Sequence, residues 1–201
     1  MTSSAAAHVD TVVIAGPGLV GGSLALALRR AGFADRFLGY SHCPESLRSG
    51  VALGVIDDYT LDLGEAVECA DLLVLATPTL VTESLLREIL SGPLRSAGSG
   101  KVFTDVASVK GNLWRTAVSA NGGCMPANVI LGHPIAGSER SGVAAADAGL
   151  FIDHRVILTP VEGNDDAAVA TVRAMWECTG AEVLELAVGD HDDILAATSH
   201  L

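Results

Sequence analysis

The sequence predicts an α/β fold: a doubly wound, mostly parallel sheet, followed by the start of a helical domain. Three observations predict it. Short apolar runs rich in β-branched residues alternate with segments of helical periodicity, the pattern of successive βαβ units. A glycine-rich turn, Gly16-Pro17-Gly18-Leu19-Val20-Gly21-Gly22, joins the first run to the first helix. Aromatic residues make up 4% of a chain that is 49% hydrophobic, so alanine, valine, leucine and glycine carry the core, as suits strands buried on both faces.

Each element follows in order. Thr11 to Ala15 is the first strand, and the helical pattern after the turn runs through Leu24, Leu26, Ala27 and Leu28. Arg36 to Ser41 reads as a second strand, Pro44 to Ala52 as a helix, and Asp71 to Ala76 as an apolar strand ending in Thr77-Pro78. Leu80 to Leu90 has helical spacing, Val102 to Val106 is a strand, Lys110 to Ser119 a helix and Val129 to Leu131 a buried strand. Arg155 to Thr159 is another strand before Pro160, Asp165 to Thr179 a helix capped at its end by Gly180, and Ala181 to Leu186 a last strand. Asp190 to Leu201 begins a helix that meets no Gly, Asn or Pro, so the expectation is a second domain cut short.

The glycine turn carries a specific chemistry. Gly16 permits the tight turn, Gly18 lets the backbone approach a pyrophosphate, and Gly21 lets the helix pack close to the strand. The free N–H groups at the helix start, from Leu19 and Val20 onward, attract phosphates. A glycine-rich turn in some other α/β fold is the alternative; the strand before and the helix after favour a dinucleotide. On this reading residues 1–9 are a flexible tail and 10–187 a dinucleotide-binding domain of Rossmann type. Residues 188–201 are the incomplete start of a helical dimerisation and substrate domain.

Composition narrows the partners. A formal net charge of −12, with Lys101 and Lys110 the only lysines, argues against a nucleic-acid surface, which needs clustered cations. Cys43, Cys69, Cys124 and Cys178 stand far apart, without CxxC or metal-like spacing, and read as reduced thiols with no structural metal. The polar, alanine-rich start lacks the basic and apolar parts of a signal peptide, and no apolar run reaches the roughly 18 residues of a membrane span. The expectation is a soluble, cytoplasmic protein with a small-molecule substrate.

The reactive side chains fall in the loops after the strands, where open α/β sheets place their ligands. Gly132 to Gly142 holds His133, Glu139, Arg140 and two serine hydroxyls in a loop opened by glycine and proline. His133 has the side chain best suited to taking a proton near neutral pH, with an unperturbed pKa of roughly 6.5. Ser108 and Lys110 follow the Val102-Phe103 strand and share that rim, as does Thr77-Pro78-Thr79, whose backbone could border a dinucleotide. For Ser108 and Thr79 the competing reading is helix N-capping. Arg140 either steers an anionic substrate or pairs with Glu139, and the pairing is the slightly favoured reading.

Four segments stand together: GPGLVGGSLALAL near the start, DVASVK in the middle, GHPIAGSERSG after it and HDDILAATSHL at the end. In this order they resemble the prephenate and arogenate dehydrogenase family, the oxidative decarboxylases of tyrosine biosynthesis. The resemblance implies that His133 accepts the proton of the substrate's ring hydroxyl and that Ser108 helps place that hydroxyl and the histidine. It also implies that Glu139, Ser199 and His200 border the substrate and that Asp192 supports the site. It further implies a homodimer formed through the helical domain, which supplies an arginine for the substrate carboxylate.

One departure concerns the cofactor. Many members of the family end the second strand in an aspartate that reads the adenosine ribose, whereas here the segment is Gly39-Tyr40-Ser41-His42. Ser41 would not repel a 2′-phosphate, so NADP stays open beside NAD; no arginine adjoins Ser41, and NAD is the expectation. Two rivals remain: a dehydrogenase of the 6-phosphogluconate and β-hydroxyacid type, which acts through a lysine in its second domain, and a noncatalytic dinucleotide-binding module.

Overall fold

The computed structural model describes residues 8–198. The chain enters as β1 (Val9–Ala15), α1 (Leu19–Ala31), β2 (Ala34–Tyr40), α2 (Pro44–Ala52), β3 (Asp58–Thr60), α3 (Leu63–Cys69) and β4 (Leu72–Leu75). It continues through α4 (Thr79–Ile89), α5 (Leu94–Ala97), β5 (Val102–Asp105), α6 (Gly111–Ala120), β6 (Val129–Ile130) and β7 (Gly132–Pro134). The last elements are β8 (Arg155–Leu158), α7 (Asp166–Glu177), β9 (Glu182–Glu185) and α8 (Val188–Thr198).

Six strands form one parallel sheet in the order β3-β2-β1-β4-β5-β6. The order reverses between β1 and β4, which opens a crevice at their carboxyl ends. Alternation along a strand sends successive side chains to opposite faces. Val12 and Ile14 therefore join Leu24, Leu28 and Trp176 in one core layer, while Val13 and Ala15 join Val67, Leu86 and Leu113 in the other. The continuous apolar runs of the sequence are this double burial.

The last three strands do not extend the parallel sheet, contrary to the simple alternation of the sequence. They form a second sheet, β7-β8-β9, in which β7 runs antiparallel to β8 and β8 parallel to β9. The chain leaves the first sheet at Gly132, where a Cβ would stand 3.2 Å from Leu158 Cδ2 and 3.3 Å from the Asp105 carbonyl oxygen. A side chain there would crowd β8 and β5 by a few tenths of an ångström. Phe151 and Trp176 pack edge to face beside this junction, 5.2 Å apart, both fully buried.

Four short elements were not legible in the sequence: β3, α3, α5 and β7 each span few residues and carry little periodicity. The Asp62 carboxylate starts α3 by accepting the Glu65 N–H at 2.9 Å. Among the described residues no helix is long and apolar enough to cross a membrane.

Candidate active site

Because the strands are parallel, the turns after β1, β2, β4, β5 and β6 open on a single edge of the sheet. The first of them is a cradle of backbone. Gly16 sits at φ +87°, and a Cβ there would lie 2.7 Å from the Ala76 carbonyl oxygen; at Gly21 it would lie 2.5 Å from the Gly16 carbonyl oxygen. Both positions are closed to any side chain. Gly18 has nothing within 4 Å of where its Cβ would be, and it opens α1 with no side-chain cap. The N–H groups of Leu19, Val20 and Gly21 are first-turn donors without intrahelical acceptors, at the positive end of a helix dipole. This space and these donors fit the phosphates of a nucleotide.

Beside the cradle, the Ser41 hydroxyl accepts the Cys43 N–H at 3.1 Å, and Arg48 is tied to Glu45 at 3.0 Å. Thr77 exchanges a hydrogen bond with Thr82 at 2.8 Å, closing the turn after β4. The helix-capping alternatives fail: α4 begins with Thr79 itself behind Pro78, and α6 starts at Gly111, beyond the exposed Ser108.

The turn after β5 is pinned by a buried ion pair. The Lys110 ammonium, with no exposure, donates to the Asp105 carboxylate and, at 2.6 Å, to the Gly132 carbonyl. Asp105 also accepts the N–H groups of Ala107 at 2.8 Å and Gly132 at 3.2 Å. Burial pulls the pKa of Lys110 down and the Asp105 charge holds it up. The pair thus clamps the Ser108 turn to the residue preceding His133.

His133 does not lie in the loop that follows; it is the middle residue of β7, opposite Ile157. Antiparallel pairing fixes its backbone, and its half-buried ring meets the fully buried ring of His191 edge to face, with His133 Nδ1 3.0 Å from His191 Nε2. His191 Nδ1 in turn stands 2.7 Å from the Asp192 carboxylate. Burial is the main force pushing the His133 pKa down to about 4, aided by the Lys110 charge and opposed by Asp192. At neutral pH the imidazole is therefore uncharged, with a lone pair to offer.

Glu139 and Arg140 lie exposed in the loop after β7, and no ion pair joins them; adjacent residues in a solvated loop have little reason to fold onto each other. Ser199 and His200 lie outside the described residues. Asp105 and His191 are brought to the site by the fold and were not singled out as working side chains by sequence reasoning, while Lys110, read as a rim residue, is fully buried in the ion pair. A buried carboxylate and an HDD triplet in a helix with little apolar periodicity are weak signals without coordinates.

A parallel sheet in this strand order, with an open backbone cradle after its first strand, defines a nucleotide-binding domain of the Rossmann class. The chain belongs to the prephenate dehydrogenase family: the family described as "Prephenate dehydrogenase, nucleotide-binding domain" matches residues 24–185. It is 33% identical to the prephenate dehydrogenase of Bacillus subtilis over 193 residues, which are 95% of this chain and 50% of that protein. The prephenate dehydrogenase of Aquifex aeolicus, crystallised with hydroxyphenyl propionate and NAD+, superposes with a TM-score of 0.83 at 32% identity, over 93% of this chain and 63% of that one. Synechocystis arogenate dehydrogenase gives 0.81 at 30% identity, over 94% and 64%. The chain thus spans half to two thirds of the length of these relatives.

Proposed function

We propose that this chain is the cofactor-binding and proton-accepting part of an NAD-dependent prephenate or arogenate dehydrogenase. The observation that carries the reading is the half-buried imidazole of His133, three residues past the carboxyl end of β6 and one past Gly132, whose N–H is bonded to Asp105 at the end of β5, the edge that also carries the glycine cradle. Gly16, Gly18 and Gly21 with the N–H groups of Leu19 and Val20 hold the pyrophosphate, and Ser41, Thr77 and Pro78 border the rest of the dinucleotide. NAD, the cofactor bound in the Aquifex structure, supplies the hydride acceptor when bound.

The substrate carries a hydroxyl and a hydrogen on one ring carbon of a cyclohexadiene, with a carboxylate on the carbon opposite. His133 takes the hydroxyl proton while that carbon loses hydride, the carboxylate leaves as carbon dioxide, and the ring becomes aromatic. Ser108 orients the hydroxyl and Glu139 borders the substrate. Positioning of this kind is worth several orders of magnitude in rate. A helical domain after residue 187 would complete the substrate pocket, with Ser199 and His200, and form a homodimer. A cytoplasmic biosynthetic enzyme is the setting this chemistry fits.

The test is turnover of prephenate and arogenate, read as reduced nicotinamide, by the protein carrying its helical domain. His133→Asn is expected to lower kcat by about 10² to 10⁴ and to leave NAD affinity unchanged. Undiminished turnover would remove His133 from the reaction. Binding of NAD with no turnover of either substrate by the parent protein would favour a noncatalytic module.

A further inference from the structure

We propose that His191 and Asp192 are positioning residues that fix the tautomer of His133, so that Nδ1 carries the ring proton and Nε2 presents the lone pair to the reacting hydroxyl. The proposal rests on the reading of His133 as the base. The bonding is determined from its far end. Burial works against the Asp192 carboxylate, but the N–H groups of Lys110 at 2.9 Å and Gly111 at 2.8 Å, together with His191, outweigh it and hold the pKa below the ordinary value. An ionised carboxylate only accepts, so His191 donates to it through Nδ1 at 2.7 Å. With His191 taken as a neutral imidazole bearing a single N–H, its Nε2 is left as an acceptor. The 3.0 Å contact with His133 is then filled by the proton on His133 Nδ1, and His133 Nε2 is bare.

The geometry suits this role. His191 has no exposure, so water does not compete for either of its nitrogens. The rings meet at 64°, which holds the His133 plane against rotation. When Nε2 takes a proton, the Nδ1–H stays bonded to His191, and the new positive charge faces a dipole backed by the Asp192 carboxylate. Both positioning residues belong to α8, after the stretch 24–185 that matches the nucleotide-binding family, so the tautomer of a residue in one unit is set by the helix that leaves it.

Ring nitrogen–proton correlation spectra of the chain with labelled histidine read the tautomer directly, and His133→Asn assigns the signal among the six histidines. At neutral pH the parent chain is expected to show His133 as Nδ1–H; an Nε2–H signal overturns the proposal without any variant. His191→Asn keeps a donor for Asp192 but is too short to reach His133, and is expected to shift His133 toward Nε2–H. His191→Gln places an amide oxygen where Nε2 stood and is expected to restore Nδ1–H. An unchanged His133 signal in folded His191→Asn would reduce His191 to packing and overturn the proposal. Turnover separates the two readings: an Nε2–H parent with loss of activity in His133→Asn ends the relay and keeps the base. An Nδ1–H parent with undiminished activity ends the base and keeps the tautomer control.

Discussion

The carboxylate of Asp192 accepts the backbone N–H of Gly111 at 2.8 Å, across 81 positions of sequence. Its other oxygen takes the Lys110 N–H at 2.9 Å, so a side chain on α8 caps the start of α6, which has no side-chain cap of its own. The same carboxylate holds His191. One residue thereby ties the last helix to the sheet edge and to the histidine pair.

Asp192→Ala is expected to destabilise the chain by about 1 to 3 kcal/mol, the cost of a lost cap and of partly buried N–H groups left unpaired, measured by urea unfolding. Gly111→Ala attacks the contact from the other side, because its Cβ would fall 2.8 Å from the Asp192 carboxylate. It too is expected to destabilise. If neither variant shifts the urea midpoint, the cap contributes nothing.

The cradle glycines should separate folding from binding. Gly16→Ala meets the Ala76 carbonyl at 2.7 Å with φ at +87° and is expected to cost about 1 kcal/mol or more of stability. Gly18→Ala meets nothing and is expected to keep its thermal midpoint while losing about tenfold or more in NAD affinity, through the methyl filling the phosphate space. Equal NAD affinity of parent and Gly18→Ala, by calorimetry, would move the pyrophosphate elsewhere.

His133 should make stability depend on pH in a defined window. Its folded pKa of about 4 lies below the ordinary 6.5, so the unfolded chain binds the proton first as pH falls. The contribution is fully present above about pH 6.5, declines between there and about pH 4, and is constant below. At about 1.4 kcal/mol per pKa unit the drop from 6.5 to about 4 is worth about 3.5 kcal/mol, which solvent screening of a half-buried ring lowers to about 2 kcal/mol. Unfolding free energies of parent and His133→Asn at about pH 7.5 and about pH 4.5 test it; the parent should lose more, and equal losses would show that burial does not depress this imidazole.

Much of the fold is legible because the signals are local. The helix over Pro44–Ala52 is marked by its leading proline and periodicity, and the strands through Ala15, Leu75 and Asp105 are marked by apolar runs. The glycine spacing marks the cradle by itself. By contrast, β3 has three residues and α5 four, too few for a period to show. β7 is Gly132-His133-Pro134, which reads locally as a turn, and nothing local says that it pairs with β8 and β9 in a separate sheet.

The sequence by itself determined the alternation of the longer strands and helices, the glycine cradle, and the clustering of reactive residues after strands, because periodicity and turn chemistry act within a few residues. Only the tertiary structure decided that His133 lies in a strand of the second sheet, that His191 reaches it across 58 positions, and that Asp192 reaches Lys110 across 82. The protonation of His133 belongs to the second group as well. It follows from the water excluded and the charges gathered around the ring, which no neighbouring residue in the chain specifies.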